Sequence, residues 1–87
     1  MSSSLSTELR NAAGFPSVQI VAFQGEIDET HIPDLERVLG KFEADKKVVH
    51  VIFDFHDLAF INSKGIGFIA SFYASMTQSG KKLYFAA

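Results

Sequence analysis

The chain is 87 residues long, 47% hydrophobic and 21% charged, with a formal net charge of -2. That suits one small domain around one core and lacks the basic excess of a nucleic-acid-binding surface. Cysteine is absent, which excludes disulfides and thiolate metal sites. No apolar run approaches the ~18 residues of a membrane span. The opening MSSSLSTEL has neither a basic n-region nor a long apolar h-region, so a cytoplasmic address is expected.

In chain order, Leu5, Thr7 and Leu9 alternate with Ser6 and Glu8, which predicts a strand with one wet face. Asn11 to Pro16 carries Asn, Gly and Pro and reads as a turn. Ser17 to Gly25 is β-branched and apolar, a second strand that should pair antiparallel with the first. The period then changes. Ile32, Leu35, Val38, Leu39 and Phe42 recur at helical spacing among charged residues, so an amphipathic helix is expected. Thr30 is its expected N-cap, which leaves Pro33 in the first turn.

EADKK turns the chain, and an apolar run from Lys47 or Val48 to Phe55 reads as a strand buried on both faces. A second helix is expected over Ser63 to Gln78, with Gly80 as its stop, and KKLYFAA as a last strand. The order β-β-α-β-α-β predicts one α/β domain over residues 1–87. It should have a small mixed sheet, parallel where helices cross over, and both helices on one face.

The start of the second helix is unusual. Asn62 is a strong N-cap residue, and Ser63 follows at the positive end of the helix, where anions are stabilised. Gly65 and Gly67 follow at once, although glycine costs a helix interior about 1 kcal/mol relative to alanine. Gly67, Ala70 and Ala74 form a stripe of small residues that would allow close approach to a neighbour. Ile66, Ile69, Tyr73 and Met76 form the adjacent apolar face, leaving Phe68 and Phe72 partly outward. A well-capped, tightly packed helix accounts for all of this without any partner.

Elsewhere, Asp54, Phe55, His56 and Asp57 gather two carboxylates and an imidazole at an expected strand end. A turn with side-chain caps explains them better than a metal or acid–base site. His50 reads as a satisfied or edge-facing strand residue and His31 as a solvated one. The acidic GEIDET, Gly25 to Thr30, reads as helix capping. There is no phosphate-binding Gly-rich loop and no His-Glu-x-x-His signature. Ser63 has no identifiable base, so neither catalysis nor a cofactor is expected.

FQGEID and VIFDFHDLAFINSKGIGFI together resemble the STAS domain. That family includes bacterial anti-sigma-factor antagonists, stressosome subunits and cytoplasmic tails of sulfate-type anion transporters. The resemblance covers nearly the whole chain. Its hallmark is an apolar strand, a Phe, then Asp-Ser-Ser-Gly-hydrophobic-Gly; here the run is Phe60-Ile61-Asn62-Ser63-Lys64-Gly65-Ile66-Gly67. The resemblance implies that Ser63 is a phosphoacceptor. It further implies a partner surface of Asp28, Asn62, Ser63, Lys64, Gly65 and Phe68, facing an anti-sigma factor that doubles as a serine kinase.

Two positions depart from the pattern. Asn62 replaces an Asp and Lys64 replaces a Ser, which favours a second possibility, a scaffold or accessory domain that is not phosphorylated. The family also continues beyond the fourth strand, so a shortened domain is expected. Its uncovered apolar residues (Phe68, Phe72, Leu83, Tyr84, Phe85) should favour self-association.

Overall fold

The computed structural model describes residues 4–87. Strands β1 (Leu5–Ala12) and β2 (Phe15–Ile27) form a hairpin. A 3-10 turn (Glu29–His31) then leads into helix α1 (Ile32–Ala44), followed by β3 (His50–Ile61), α2 (Ser63–Gln78) and β4 (Lys82–Ala86). The sheet order is β1-β2-β3-β4, antiparallel for the first pair and parallel for the other two. This is the expected α/β order. The hairpin turn is tighter than expected, with only Ala13 and Gly14 between the strands.

Alternation along each strand sends Val21, Phe23, Val51, Phe53 and Leu83 into one core with Leu35 and Leu39 of α1 and Ile69, Phe72 and Met76 of α2. Both helices therefore cover the same face. Crossovers of one hand that step in one direction require this. The other face carries the row Arg10, Ile20, Ile52, Tyr84, and no helix lies over it among the described residues. The two-sided burial expected of β3 is thus replaced by one-sided burial, with Ile52 only half-buried.

β3 runs to Ile61, six residues past the end of the apolar run at Phe55. Its register against β2 slips twice: Ala22 opposes Asp54 but Gln24 opposes Asp57, and Gly25 opposes Leu58 but Glu26 opposes Phe60. These are β-bulges, which bend a strand and increase its twist. Asp54 to Asp57 therefore belongs to a bulge inside the strand, and not to a turn after it. The Asp54 carboxylate accepts the His56 N–H at 2.9 Å, which satisfies backbone released by the first bulge. No group of three or more potential metal ligands occurs among the described residues.

Helix ends explain the rest. Asp28, and not Thr30, opens the first helical segment. Its Oδ1 accepts the Thr30 N–H at 2.9 Å, and the Asp28 N–H donates to His31 Nδ1 at 3.3 Å. Thr30 fails as a cap because its own amide lies inside the 3-10 turn. His31, expected to be solvated, closes this reciprocal cap. At the other end of α2, Gly80 adopts φ +77°, its N–H bonds Thr77 O and the Lys81 N–H bonds Met76 O. This is a Schellman stop, and the left-handed residue is glycine because a Cβ there is strained. The Lys81 ammonium reaches the Phe42 and Asp45 carbonyls, placing a positive charge on the negative end of α1.

α2 is rotated from its expected phase. Gly65, Ile69, Phe72 and Met76 are its buried residues, whereas Ile66 is 56% and Tyr73 47% exposed. A Cβ at Gly67 would meet nothing within 4 Å, and Ala70 and Ala74 are exposed. The stripe of small residues is therefore not packed. Phe72 lies in the core, contrary to its expected partly outward position, while Phe68 is half-buried and packs against the core. The glycine that does pack is Gly65. A Cβ there would lie 2.8 Å from Ile61 Cγ1 and 2.9 Å from Ile27 Cγ2. That single close approach sets the rotation of the helix.

Candidate functional site

The site is the corner where β2 and β3 end and α2 begins. The two strands terminate side by side, with Ile27 opposite Ile61. The Asn62 N–H then donates to Ile27 O at 3.1 Å. This leaves the following residue at the first position of a 16-residue helix. The Asn62 side chain works in two directions. Oδ1 accepts the Gly65 N–H at 2.9 Å, the expected cap. Nδ2 donates to Glu29 Oε2 at 2.6 Å. The loop between β2 and α1 is thereby tied to the start of α2.

Glu29 was hidden from sequence reasoning except as one letter of GEIDET. Its carboxyl is held below the usual range, first by a hydrogen bond from its own backbone N–H and then by the Asn62 amide, with a smaller contribution from the Lys64 ammonium. The corner thus carries a fixed carboxylate, an amide and a cation around an exposed hydroxyl. Ser63 and Lys64 are exposed, Asn62 and Phe68 are half-buried, and Asp28 is engaged in capping. Gly65, expected on the partner surface, is buried; it positions the corner from beneath. His56 and Asp57 lie on β3, four or more residues before the corner, and the described contacts join neither to Ser63.

Next to this corner, on the edge side of α2, is an apolar groove lined by Phe55, Ile61, Ile66, Ala70, Tyr73 and Phe85. Phe85 stacks on Phe55 at 5.8 Å between ring centroids and on Tyr73 at 6.2 Å. Tyr84 and Phe85 are 45% and 49% exposed, but Leu83 is 8% exposed and Phe72 7%. Those last two belong to the core and not to the apolar surface expected of them.

The fold has close counterparts among solved structures. An anti-sigma-factor antagonist STAS domain from Rhodobacter sphaeroides superposes with a TM-score of 0.77 at 8% identity, covering 94% of this chain and 85% of that one. An anti-sigma-factor antagonist from Mycobacterium paratuberculosis gives 0.77 at 24% identity, covering 97% and 69%. The anti-sigma-factor antagonist SpoIIAA in its unphosphorylated form gives 0.75 at 15% identity, covering 92% and 71%. The Bacillus cell fate determinant SpoIIAA in its phosphorylated form gives 0.72 at 15% identity, covering 90% and 68%. No curated protein sequence matches the chain significantly. No helix among the described residues is long and apolar enough to cross a membrane. The STAS domain family model matches residues 10–87, and the chain belongs to the STAS domain family.

Proposed function

We propose that this chain is a non-enzymatic, cytoplasmic protein-interaction module of the anti-sigma-factor-antagonist type, forming one domain over residues 1–87. It binds a protein regulator through the α2 corner and releases it when Ser63 is phosphorylated. The observation that carries this reading is the exposed Ser63 hydroxyl at the first position of α2, beside a corner fixed by Asn62 and Glu29. Solved counterparts include an anti-sigma-factor antagonist in both unphosphorylated and phosphorylated forms.

A phosphate on Ser63 adds about -1.5 to -2 charges. The first N–H groups of a helix lack intrahelical acceptors and attract anions, so the domain tolerates the group. A regulator surface shaped for a neutral hydroxyl does not. The contact set is Asp28, Asn62, Ser63, Lys64 and Phe68, with Gly65 supporting them from below. The regulator is an anti-sigma factor of the serine-kinase type.

A second reading, a STAS scaffold or accessory domain that is never phosphorylated, is favoured by Lys64. Its cation stands where the family pattern has a second serine. The deciding experiment is affinity capture from extracts of the native cell, with mass spectrometry of Ser63 on the recovered chain. Phosphate on Ser63 together with loss of a kinase-like partner supports switching. A stable partner and an unmodified Ser63 support the scaffold.

A further inference from the structure

We propose that the end of the molecule opposite the Ser63 corner docks on an anionic lipid surface, with Phe15 as its apolar tip and Lys46, Lys47 and Lys82 as its cations. The proposal does not rest on phosphorylation of Ser63 or on the regulator.

Sheet register gathers these residues. The β1–β2 hairpin turns at Ala13 and Gly14, just ahead of the level where Val18 opposes His50. The Val49 N–H donates to Ser17 O at 2.9 Å and the Lys82 N–H to Val49 O at 3.0 Å. The hairpin tip, the α1–β3 loop and the α2–β4 loop therefore lie side by side. From this end β3 runs the length of the sheet to Ile61 at the corner, roughly 30 Å away.

Charge divides along that axis. The end of α1, its loop and the α2–β4 loop hold five of the eight basic residues (Lys41, Lys46, Lys47, Lys81, Lys82) but only two of the ten acidic ones, Glu43 and Asp45. The rest of the chain carries three basic residues against eight acidic ones. Both acids at this end are turned to the protein: Glu43 accepts from the Ser75 hydroxyl at 2.6 Å and Asp45 from the Lys47 N–H at 2.9 Å. Helix ends account for Lys41 and Lys81, which answer the C-terminal dipole of α1. They do not account for Lys46, Lys47 and Lys82, which are exposed and enter no ion pair among the described residues.

Apolar exposure at the same end selects the kind of anion. Phe15, at the hairpin tip, is 63% exposed, the most of any large hydrophobic residue described, and Val49 is 41% exposed. One such side chain is ordinary; an aromatic tip level with a lysine cluster is the pairing that a bilayer interface rewards, through apolar burial and attraction to anionic headgroups together. The cations here are all lysine, while both arginines, Arg10 and Arg37, lie elsewhere. Arginine is the residue suited to bidentate nucleic-acid phosphate contacts, and lysine is a point charge that suits a diffuse anionic surface. Docked this way, the domain lies on the membrane without spanning it and turns the Ser63 corner toward solution.

The chain has no tryptophan, so Phe15→Trp places one reporter at the tip. Its emission should shift to the blue with phosphatidylcholine–phosphatidylserine vesicles and stay unchanged with phosphatidylcholine alone. In co-sedimentation with the mixed vesicles, the unaltered chain should bind at low salt and be released at ~1 M, where the screening length is about 3 Å. Each lysine near such a surface is worth about fivefold in binding, so Lys46→Gln/Lys47→Gln should lose about 25-fold. Phe15→Ser should also weaken binding, whereas Arg37→Gln should not, with circular dichroism unchanged in all three. No binding to the mixed vesicles at low salt overturns the proposal, as does an equal loss from Arg37→Gln and the lysine pair. Binding without a blue shift at position 15 overturns the role of the tip. Retention on a duplex polynucleotide with no binding to vesicles overturns the lipid surface in favour of nucleic acid.

Discussion

Asn62 Nδ2 and Glu29 Oε2 lie 2.6 Å apart although 33 residues separate them in sequence. Through this bond the β2–α1 loop and the start of α2 form one surface. It also gives a physical meaning to the departure of Asn62 from the family pattern. An aspartate at this position caps the helix equally well, but its charge faces Glu29 and has no donor to offer. An amide caps with its oxygen and binds the carboxylate with its nitrogen.

Asn62→Asp should therefore keep the cap and lose the tie, while Asn62→Ala loses both and costs about 1 kcal/mol for the cap alone. The informative comparison adds Glu29→Gln. In the wild-type background Glu29→Gln removes a favourable partner. In the Asn62→Asp background it removes a repulsion. Denaturant melts of the four proteins should show strong non-additivity, with the Asn62→Asp/Glu29→Gln double variant more stable than Asn62→Asp. Additive effects would show that the two side chains do not act on each other in solution.

The same bond predicts a pH response. The Glu29 carboxyl is lowered by hydrogen bonds that only the folded chain supplies. A group whose folded pKa is depressed contributes stability that is present above the unfolded value and lost as pH falls through the folded one. The corner should therefore be fully tied at neutral pH and come loose only on acidification below the ordinary glutamate range. NMR titration of the Glu29 carboxyl carbon, followed alongside the Asn62 side-chain amide protons, should show both moving together at that low midpoint. In Asn62→Ala the Glu29 midpoint should rise.

The two glycines of the first turns of α2 should respond with opposite signs. Gly65→Ala inserts a methyl 2.8 Å from Ile61 and 2.9 Å from Ile27. Overpacking of this kind costs typically about 1–3 kcal/mol. Gly67→Ala meets open space and should stabilise the helix by up to about 1 kcal/mol. Urea midpoints measure both. Loss of stability at Gly67 would show that the small-residue stripe is packed after all.

The sequence made the element order readable because its periods switch cleanly, and Gly80 marked the end of α2 because only a left-handed residue completes that stop. Three features stayed hidden for physical reasons. The far half of β3 was masked because Asp57 stands where the inward series Val51, Phe53, Phe55 calls for an apolar residue, and the bulge that accommodates it breaks the alternation. The rotation of α2 was ambiguous because apolar residues surround it, with Ile66 and Tyr73 as plausible inward residues as Ile69 and Phe72; the close approach at Gly65 decides between them. Glu29 could not be paired with Asn62, since a contact across 33 residues leaves no mark on local pattern. The cap at Asn62 was local and was legible for that reason.

Lys64 gives the last prediction, which rests on the switching proposal. Its ammonium is close enough to the corner to help hold Glu29 ionised, so it also acts on any charge placed at Ser63. Calorimetric titration of the captured regulator should show weaker binding by Ser63→Asp and unchanged binding by Ser63→Ala. The Ser63→Asp/Lys64→Ser variant should bind more weakly still, because the new charge is no longer partly neutralised. Two unit charges about 7 Å apart in water interact by about 0.6 kcal/mol, so the added loss should be two- to threefold. Its electrostatic origin is checked with salt. At ~1 M the screening length falls to about 3 Å, and the difference between the single and double variants should vanish while the loss from Ser63→Asp itself shrinks less. If Ser63→Asp binds as tightly as the wild type at low salt, the regulator does not read charge at this corner, and the unphosphorylated scaffold takes the place of the switch.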